Sequence, residues 1–436
     1  VGRSRTPPPV VVCRVRGGVL SLWCRTESAG LLYAEACEGN GDETIVLPLE
    51  VLEAAEGAGE AGVALSVDRK LQGRAGWMEG GVPSSKSFAA VRPGNEQAIP
   101  ERPGSVAPAG GELLRALHEC GRTAARESGR FILTHLQIDG AKGRIVGTDA
   151  RHALVWQGLT FSFTETVLVP AVPVFGCREL AATGESCSVG VSRGEFVVAA
   201  GPWTVFLPTN IDGKYPDVTP LLLKPGSGRV ATLDSRDAAE LLSVLPELPG
   251  RNEKDTPVTL DLERGVVVVR GRDSETRAFR EVPLRRSRAG SEPVKISVNR
   301  SFLARILELG CHTLRINPTG SLISAEAADR LYFVATLGPE SSEPEPKSPS
   351  PLPSGSTPMK PSETNGAAPA GRHDPPVDEL IDPIVEAEAL RVAVAEVGTR
   401  LGRLLVALRG VKRERKTLTS IWHGLKQLNL GPGGTP

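Results

Sequence analysis

Residues 112–127, ELLRALHECGRTAARE, carry apolar side chains at helical spacing. After a short gap, residues 131–156, FILTHLQIDGAKGRIVGTDARHALVW, alternate apolar and polar as a long hairpin does. A second helical stretch, VPVFGCRELAATG (172–184), and short strands, CSVGVSRGEFVVAAGPWTVFLP (187–208), complete the unit. The same order recurs as a helix at 235–246, a hairpin TPVTLDLERGVVVVRGRDSETRAFREVPL (256–284), a helix NRSFLARILELG (299–310) and strands over 311–337. An earlier copy enters at its hairpin, PVVVCRVRGGVLSLWCRTESAGLLYAEA (9–36), followed by a helix LPLEVLEAAEG (47–57) and strands to about Phe88, with the opening helix missing. Hairpins starting near Val10, Phe131 and Thr256 set a repeat of about 120–125 residues, which is domain size rather than solenoid size. The predicted class is α+β: three repeated domains, each with helices covering one face of an antiparallel sheet.

The expected boundaries are 1–106, 107–226 and 227–338, with Gly- or Pro-rich joints at 101–111 and 224–228. Residues 339–378 change to Pro, Ser, Glu and Gly, too little apolar area to order themselves, and read as a flexible, disordered linker. Beyond it, Ala387, Leu390, Val394, Val397, Leu401, Leu404, Leu408, Val411, Leu418, Trp422 and Leu425 follow steps of three and four, broken only at Arg415. That stripe predicts a long helix over 379–430, either in a coiled coil or docked on the protein's own surface.

Composition narrows the function. The chain has 436 residues, 51 basic against 51 acidic side chains, 40% hydrophobic and 4% aromatic residues. A uniformly basic nucleic-acid coat is excluded, so any DNA contact must come from local basic faces. No apolar run approaches the roughly 18 residues of a membrane span, and no signal-peptide core precedes the first strand, so a cytoplasmic protein is expected. A start at Val1 reads either as a fragment or as a start codon translated literally. Seven cysteines without a CxxC pair read as buried thiols. GAGEAG (57–62) follows a helix and precedes a strand, the reverse of a dinucleotide-binding turn. Ser186 lacks the closing glycine of a nucleophile elbow, and the six histidines are not spaced as metal ligands, so no enzyme, cofactor or metal is expected.

Three strings resemble the bacterial DNA polymerase III β subunit, the sliding-clamp family. GRFILTHLQIDGAKGRIVGTDARHAL (129–154) resembles its second-domain hairpin, NIDGKYPDVTPLLL (210–223) its Asp-Gly-(Arg/Lys)-(Phe/Tyr)-Pro-Asp segment, and RLYFVATL (330–337) its last strand. The resemblance covers about residues 7–337. It implies a divergent, non-catalytic processivity factor for DNA replication, a homodimer ring of six domains around duplex DNA, associated with the nucleoid. Replication or repair proteins would dock on it through a short peptide.

Carried over by position, the peptide pocket would comprise Leu133, Thr148, Ala150, Arg151, His152, Ala153, Leu223, Phe333 and Ala335. Ala150 departs from the family's glycine, Arg151 and His152 from its His-Arg order, Ala153 from its leucine and Leu223 from its proline. Non-specific DNA binding would fall to Arg115, Arg122, Arg126, Arg130, Arg178, Arg236, Arg300 and Arg305, while the helix at 47–57 carries Glu50, Glu53 and Glu56 without a cation. Residues 427–430, QLNL, are similar to the Gln-Leu-(Ser/Asp)-Leu-Phe client peptide, so Gln427, Leu428 and Leu430 form a possible internal clamp-binding peptide. The alternative is a clamp-fold protein-protein adaptor that no longer encircles DNA and assembles through its C-terminal coiled coil.

Overall fold

The computed structural model describes residues 9–38, 41–56, 62–92, 94, 98–127, 131–182, 187–210, 213–221, 228–263 and 265–337. The linker at 339–378 and the helical segment at 379–430 lie outside the described residues. One order of elements occurs three times among the described residues, complete in the second and third copies and without the opening strand and helix in the first. The first repeat holds β1 (Val10–Arg16), β2 (Val19–Arg25), β3 (Gly30–Ala36), β4 (Glu43–Pro48), α1 (Leu49–Ala54), β5 (Val63–Val67), β6 (Gln72–Glu79) and β7 (Val82–Ala89). The second holds β8 (Ala107–Ala109), α2 (Leu113–Thr123), β9 (His135–Asp139), β10 (Arg144–Thr148), β11 (His152–Trp156), β12 (Thr166–Pro170), α3 (Arg178–Ala182), β13 (Cys187–Ser192), β14 (Glu195–Ala200) and β15 (Trp203–Pro208). The third holds β16 (Arg229–Thr232), α4 (Ser235–Val244), β17 (Pro257–Glu263), β18 (Val266–Arg272), β19 (Phe279–Leu284), β20 (Arg288–Ala289), β21 (Val294–Asn299), α5 (Arg300–Glu308), β22 (Thr313–Ile316), β23 (Leu322–Glu326) and β24 (Arg330–Ala335).

Each expected hairpin is a meander of three strands, because each contains two turn signals rather than one. In the second repeat Gly140 to Gly143 closes the first turn and 149–151 the second. The helix expected over 172–184 is a 3-10 turn at Pro173–Gly176 followed by α3, with Cys177 extended between them (ψ 138°). Gly176 lies against α2 at this break, where a Cβ would sit 2.3 Å from the His118 ring. Local chemistry starts the longer helices. Asp234 caps α4 by accepting from the Arg236 and Asp237 backbone N–H groups, and Asn299 caps α5 by accepting from Ser301 N–H. The apolar stripe of α2, Leu113, Leu114, Ala116, Leu117 and Cys120, is buried as its spacing predicts. Of the cysteines, Cys13, Cys120, Cys187 and Cys311 are buried, whereas Cys24 and Cys37 are half-buried and Cys177 is exposed. Burial pushes the Cys13 thiol up to about 11.

The repeats are joined by backbone. One sheet runs β4-β1-β2-β3-β15-β14-β13-β8, and another runs β12-β9-β10-β11-β24-β23-β22-β16-β20. The first crosses from repeat one to two where β3 pairs with β15 (Leu31 opposite Val205), and the second from two to three where β11 pairs with β24 (Ala153 opposite Phe333). At both junctions the third meander strand of one repeat meets the last strand of the next. The corresponding strands left over are β19 and β7, each at the edge of its own sheet, β19-β18-β17-β21 and β5-β6-β7. All three repeats close with the same backbone hydrogen bond, Val91 N–H to Val46 O, Asn210 N–H to Leu168 O and Leu337 N–H to Ser297 O.

Side chains reinforce the second junction. Arg305 on α5 is 7% exposed and bonds the Glu119 carboxylate and backbone carbonyl on α2, while Arg122 of α2 reaches Glu308 of α5 at 3.3 Å. Removing one member of a buried ion pair strands the other charge, at about 3–5 kcal/mol. Arg305→Met is therefore expected to lower the unfolding free energy by about that amount, measured by urea denaturation, and the double change Glu119→Leu with Arg305→Met is expected to recover most of it.

Candidate partner-binding pocket and arginine faces

The turn between β10 and β11 is held by its own side chains. Thr148 Oγ1 donates to the His152 carbonyl at 2.6 Å and accepts from Ala150 N–H at 3.0 Å, and Asp149 accepts from the Arg151 and His152 backbone N–H groups at 2.8 and 3.0 Å. Burial pushes the Asp149 carboxyl up, but hydrogen bonding and charge from His152 and these N–H groups outweigh it and hold it below the usual range. Ala150 adopts φ +76°, the left-handed region.

The chain returns across this turn at 213–221. Gly213 N–H donates to Asn210 Oδ1, and a Cβ at Gly213 would lie 2.6 Å from Ile132. Tyr215 anchors the segment by donating to the His135 carbonyl at 3.1 Å, and burial pushes its phenol up. Between segment and turn lies a cavity of about 390 Å³, lined by Ile132, Leu133, Thr148, Ala150, Lys214, Tyr215, Pro216, Asp217, Val218 and Leu221. Its floor is apolar: Val218 packs with Val146, Ala153, Val155 and Phe333. A concave site with an apolar floor and a Lys–Asp rim suits an extended peptide with hydrophobic anchors.

Of the expected pocket residues, Leu133, Thr148 and Ala150 line this cavity. Ala153 and Phe333, a cross-strand pair, do not line it but are buried in the cluster that packs with Val218, and Ala335 is exposed at the end of β24, its N–H bonded to the Arg151 carbonyl. Leu223 lies outside the described residues. Arg151 and His152 instead bind the third repeat. Arg151 pairs with Asp255 at 2.8 Å and lies over the Phe302 ring, while His152 meets the Tyr332 hydroxyl at 2.7 Å through Nδ1 and stacks 4.4 Å from Phe302. Position-by-position reading missed Tyr215, Pro216, Val218 and Leu221, although all four lie in the string 210–223.

The arginines divide. Arg126, Arg178 and Arg236 are exposed. Arg115 pairs with Glu112 at 3.7 Å and lies over Trp156, and Arg122 pairs with Glu119 and Glu308. Arg300, 7% exposed, donates to the Pro246 and Pro249 carbonyls, and Arg305 is spent on Glu119, so neither is presented to a phosphate. Arg130, Gln427, Leu428 and Leu430 lie outside the described residues. Among the described residues no group of three His, Cys, Asp or Glu is placed to hold a metal, and no helix is long and apolar enough to cross a membrane.

No protein-family model and no curated protein matches the chain. Solved structures do. A DNA polymerase sliding clamp from Pseudomonas aeruginosa with ligand matches at 18% identity and a TM-score of 0.62, over 77% of this chain and 94% of that one. The sliding clamp from Caulobacter crescentus matches at 16% identity and 0.62, over 77% and 93%. The DNA polymerase III β subunit from Borrelia burgdorferi, in complex with a natural product, matches at 11% identity and 0.63, over 76% and 90%. The chain has the sliding-clamp fold, in a divergent sequence.

An L-residue in the left-handed region is strained by about 1–2 kcal/mol, which glycine avoids at a cost in unfolded-chain entropy. Ala150→Gly is therefore expected to raise stability by up to about 1 kcal/mol, read from the urea midpoint. A lower midpoint would mean that the turn holds no strain.

Proposed function

We propose that the chain is a non-catalytic sliding clamp, two copies closing head to tail into a ring around duplex DNA and docking replication or repair proteins by short peptides. The observation that carries this reading is the pair of open edges. β19 and β7 are the counterparts of strands that join repeats internally, so β19 of one copy would pair with β7 of another at each of two closures. Both edges expose apolar side chains that such pairing would cover, Phe279 (54% exposed) on β19 and Val82 (63%) on β7. By the same equivalence α4 would face α1 across the closure, as α2 faces α5 within the chain, setting Arg236 near the acidic α1.

The helix faces favour a second reading, an adaptor of clamp fold that no longer encircles DNA and assembles through its 379–430 segment. Exposed charges are Glu50 and Glu53 on α1, Glu56 just beyond its end and Glu308 on α5, without an exposed cation on either helix. Phosphate binding requires cations on the facing surface.

One experiment separates the two. Native mass measurement should give a dimer that is retained on nicked circular DNA and lost after linearisation. Phe279→Glu with Val82→Glu should yield monomers that are not retained. A dimer that survives both changes and ignores DNA topology would favour the adaptor.

The cavity between Leu133 and Val218 would take the client peptide, and the chain's own Gln427, Leu428 and Leu430 would compete for it at the high local concentration that a tether supplies. Leu133→Asp is expected to weaken binding of a Gln-Leu-Ser-Leu-Phe peptide at least about tenfold in a fluorescence titration, since a buried unpaired charge would replace an apolar anchor. Unchanged affinity would place client binding elsewhere.

A further inference from the structure

The junction between the second and third repeats shows which side chains of this fold meet across a joint. α5 presents Phe302, Arg305 and Glu308, three residues apart along one face. Phe302 lies 4.4 Å from the His152 ring on β11, Arg305 bonds Glu119 on α2, and Glu308 meets Arg122 of α2. The same helix buries Leu303 and Leu307.

α1 holds the corresponding place in the first repeat, since each helix follows the strand that carries the closing acceptor, Val46 on β4 and Ser297 on β21. It buries Val51 and the adjoining Ala55, spaced as Leu303 and Leu307 are, and aligning the buried pairs sets Glu50 on Phe302 and Glu53 on Arg305. The acidic stripe of α1 is therefore the face that this fold turns toward a neighbouring repeat. On the other side of that joint β19 stands for β11 and α4 for α2. Leu154 and Trp156 of β11, like Val282 and Leu284 of β19, face the shared core, so two residues earlier on the same face His152 corresponds to Arg280. Ala238, Leu241 and Leu245 are buried with the spacing of Leu117, Cys120 and Ala124, which sets Glu240 on Glu119.

We propose that two copies meet through these faces, with Arg280 of one copy paired to Glu50 of the other and Glu240 held against Glu53. The inference rests on the ring reading and names the charges at its closure. Arg280 is exposed and has no carboxylate partner among the described residues. Lys86 donates to the Glu50 backbone carbonyl at 2.9 Å and stands 4.0 Å from its carboxylate, which leaves that carboxylate an open side for a second cation. The first contact puts an ion pair where the internal junction has an aromatic one. The second puts two like charges where the internal junction has Glu119 with Arg305, eased by Arg286 at 3.4 Å from Glu240. The joint between copies is thus specified by one charge pair and weakened by another, and it is looser than its counterpart within the chain.

The test is the dimer dissociation constant of the full chain by sedimentation velocity. Arg280→Glu and Glu50→Arg are each expected to raise it at least about tenfold, and the two changes together in one chain to restore it. Glu53→Arg, which recreates the Arg305 and Glu119 arrangement, is expected to lower it by a similar factor. All three positions are exposed, and an unchanged Tm of each variant shows that the fold is kept. Phe279→Glu with Val82→Glu, run alongside, identifies a dimer closed at the strand edges. If that edge variant dissociates the dimer while the Arg280 and Glu50 reversals leave it unchanged, or weaken it without recovery in the combined chain, the charge pairing is overturned and the ring stands. A monomeric parent chain, or a dimer that ignores the edge variant as well, overturns the ring reading together with the pairing. A weaker dimer with Glu53→Arg overturns the like-charge contact.

Discussion

Antiparallel pairing between repeats is the constraint on which the rest of the molecule depends. At β3 with β15 and at β11 with β24 the backbone itself crosses the junction, so neighbouring repeats share a sheet instead of touching through side chains. Ladder geometry then fixes the angle at which each repeat follows the last. The candidate pocket is a consequence: Ala153 on β11 and Phe333 on β24 sit opposite each other across the ladder, and together they form the floor on which Val218 rests.

Side-chain contacts add rigidity unequally. The second and third repeats share one continuous core, containing Trp156 and Tyr332, and are bound further by Glu119 with Arg305 and by His152 wedged between Tyr332 and Phe302. The first repeat keeps a core of its own around Leu47, Trp77 and Phe88, and meets the second through a smaller cluster in which Trp23 packs edge-on against Phe206 at 5.5 Å. Buried apolar contact is the main source of local stability, so the first junction is the more deformable of the two.

Much of this architecture was legible because the repeat writes it three times. Alternating Val and Leu with Gly at the turns identified the meanders, and apolar spacing identified α2, α4 and α5. The extra strand in each meander was missed because period-2 alternation continues through a tight turn. The pocket was half legible. Leu133, Thr148 and Ala150 sit on or beside regular elements, in a turn whose neighbours are local in sequence, whereas Val218 and Leu221 lie in an aperiodic crossing segment placed by Tyr215, whose partner His135 is eighty residues away. Arg305 was misplaced for a related reason: helical spacing tells which residues share a face, but what covers that face is set by α2, nearly two hundred residues upstream.

The arginines that stay inside have a consequence for charge. Attraction for phosphate without base readout requires only cations presented on the facing surface. Here α5 directs Arg300 at backbone carbonyls and Arg305 at Glu119, and α2 pairs Arg115 and Arg122 with carboxylates, so the positive charge of these helices is neutralised within the protein. The unneutralised density lies instead around the β18–β19 turn and the strand beyond it, where Arg277, Arg280, Arg285 and Arg288 are exposed. Those residues flank the open edge of the third repeat rather than its helices. Arginine charge without a carboxylate partner among the described residues therefore lies beside an exposed strand edge, while α2 and α5 present little of it. Internal arginine pairing thus shifts the electrostatic weight of this sequence from its helix faces to its open ends.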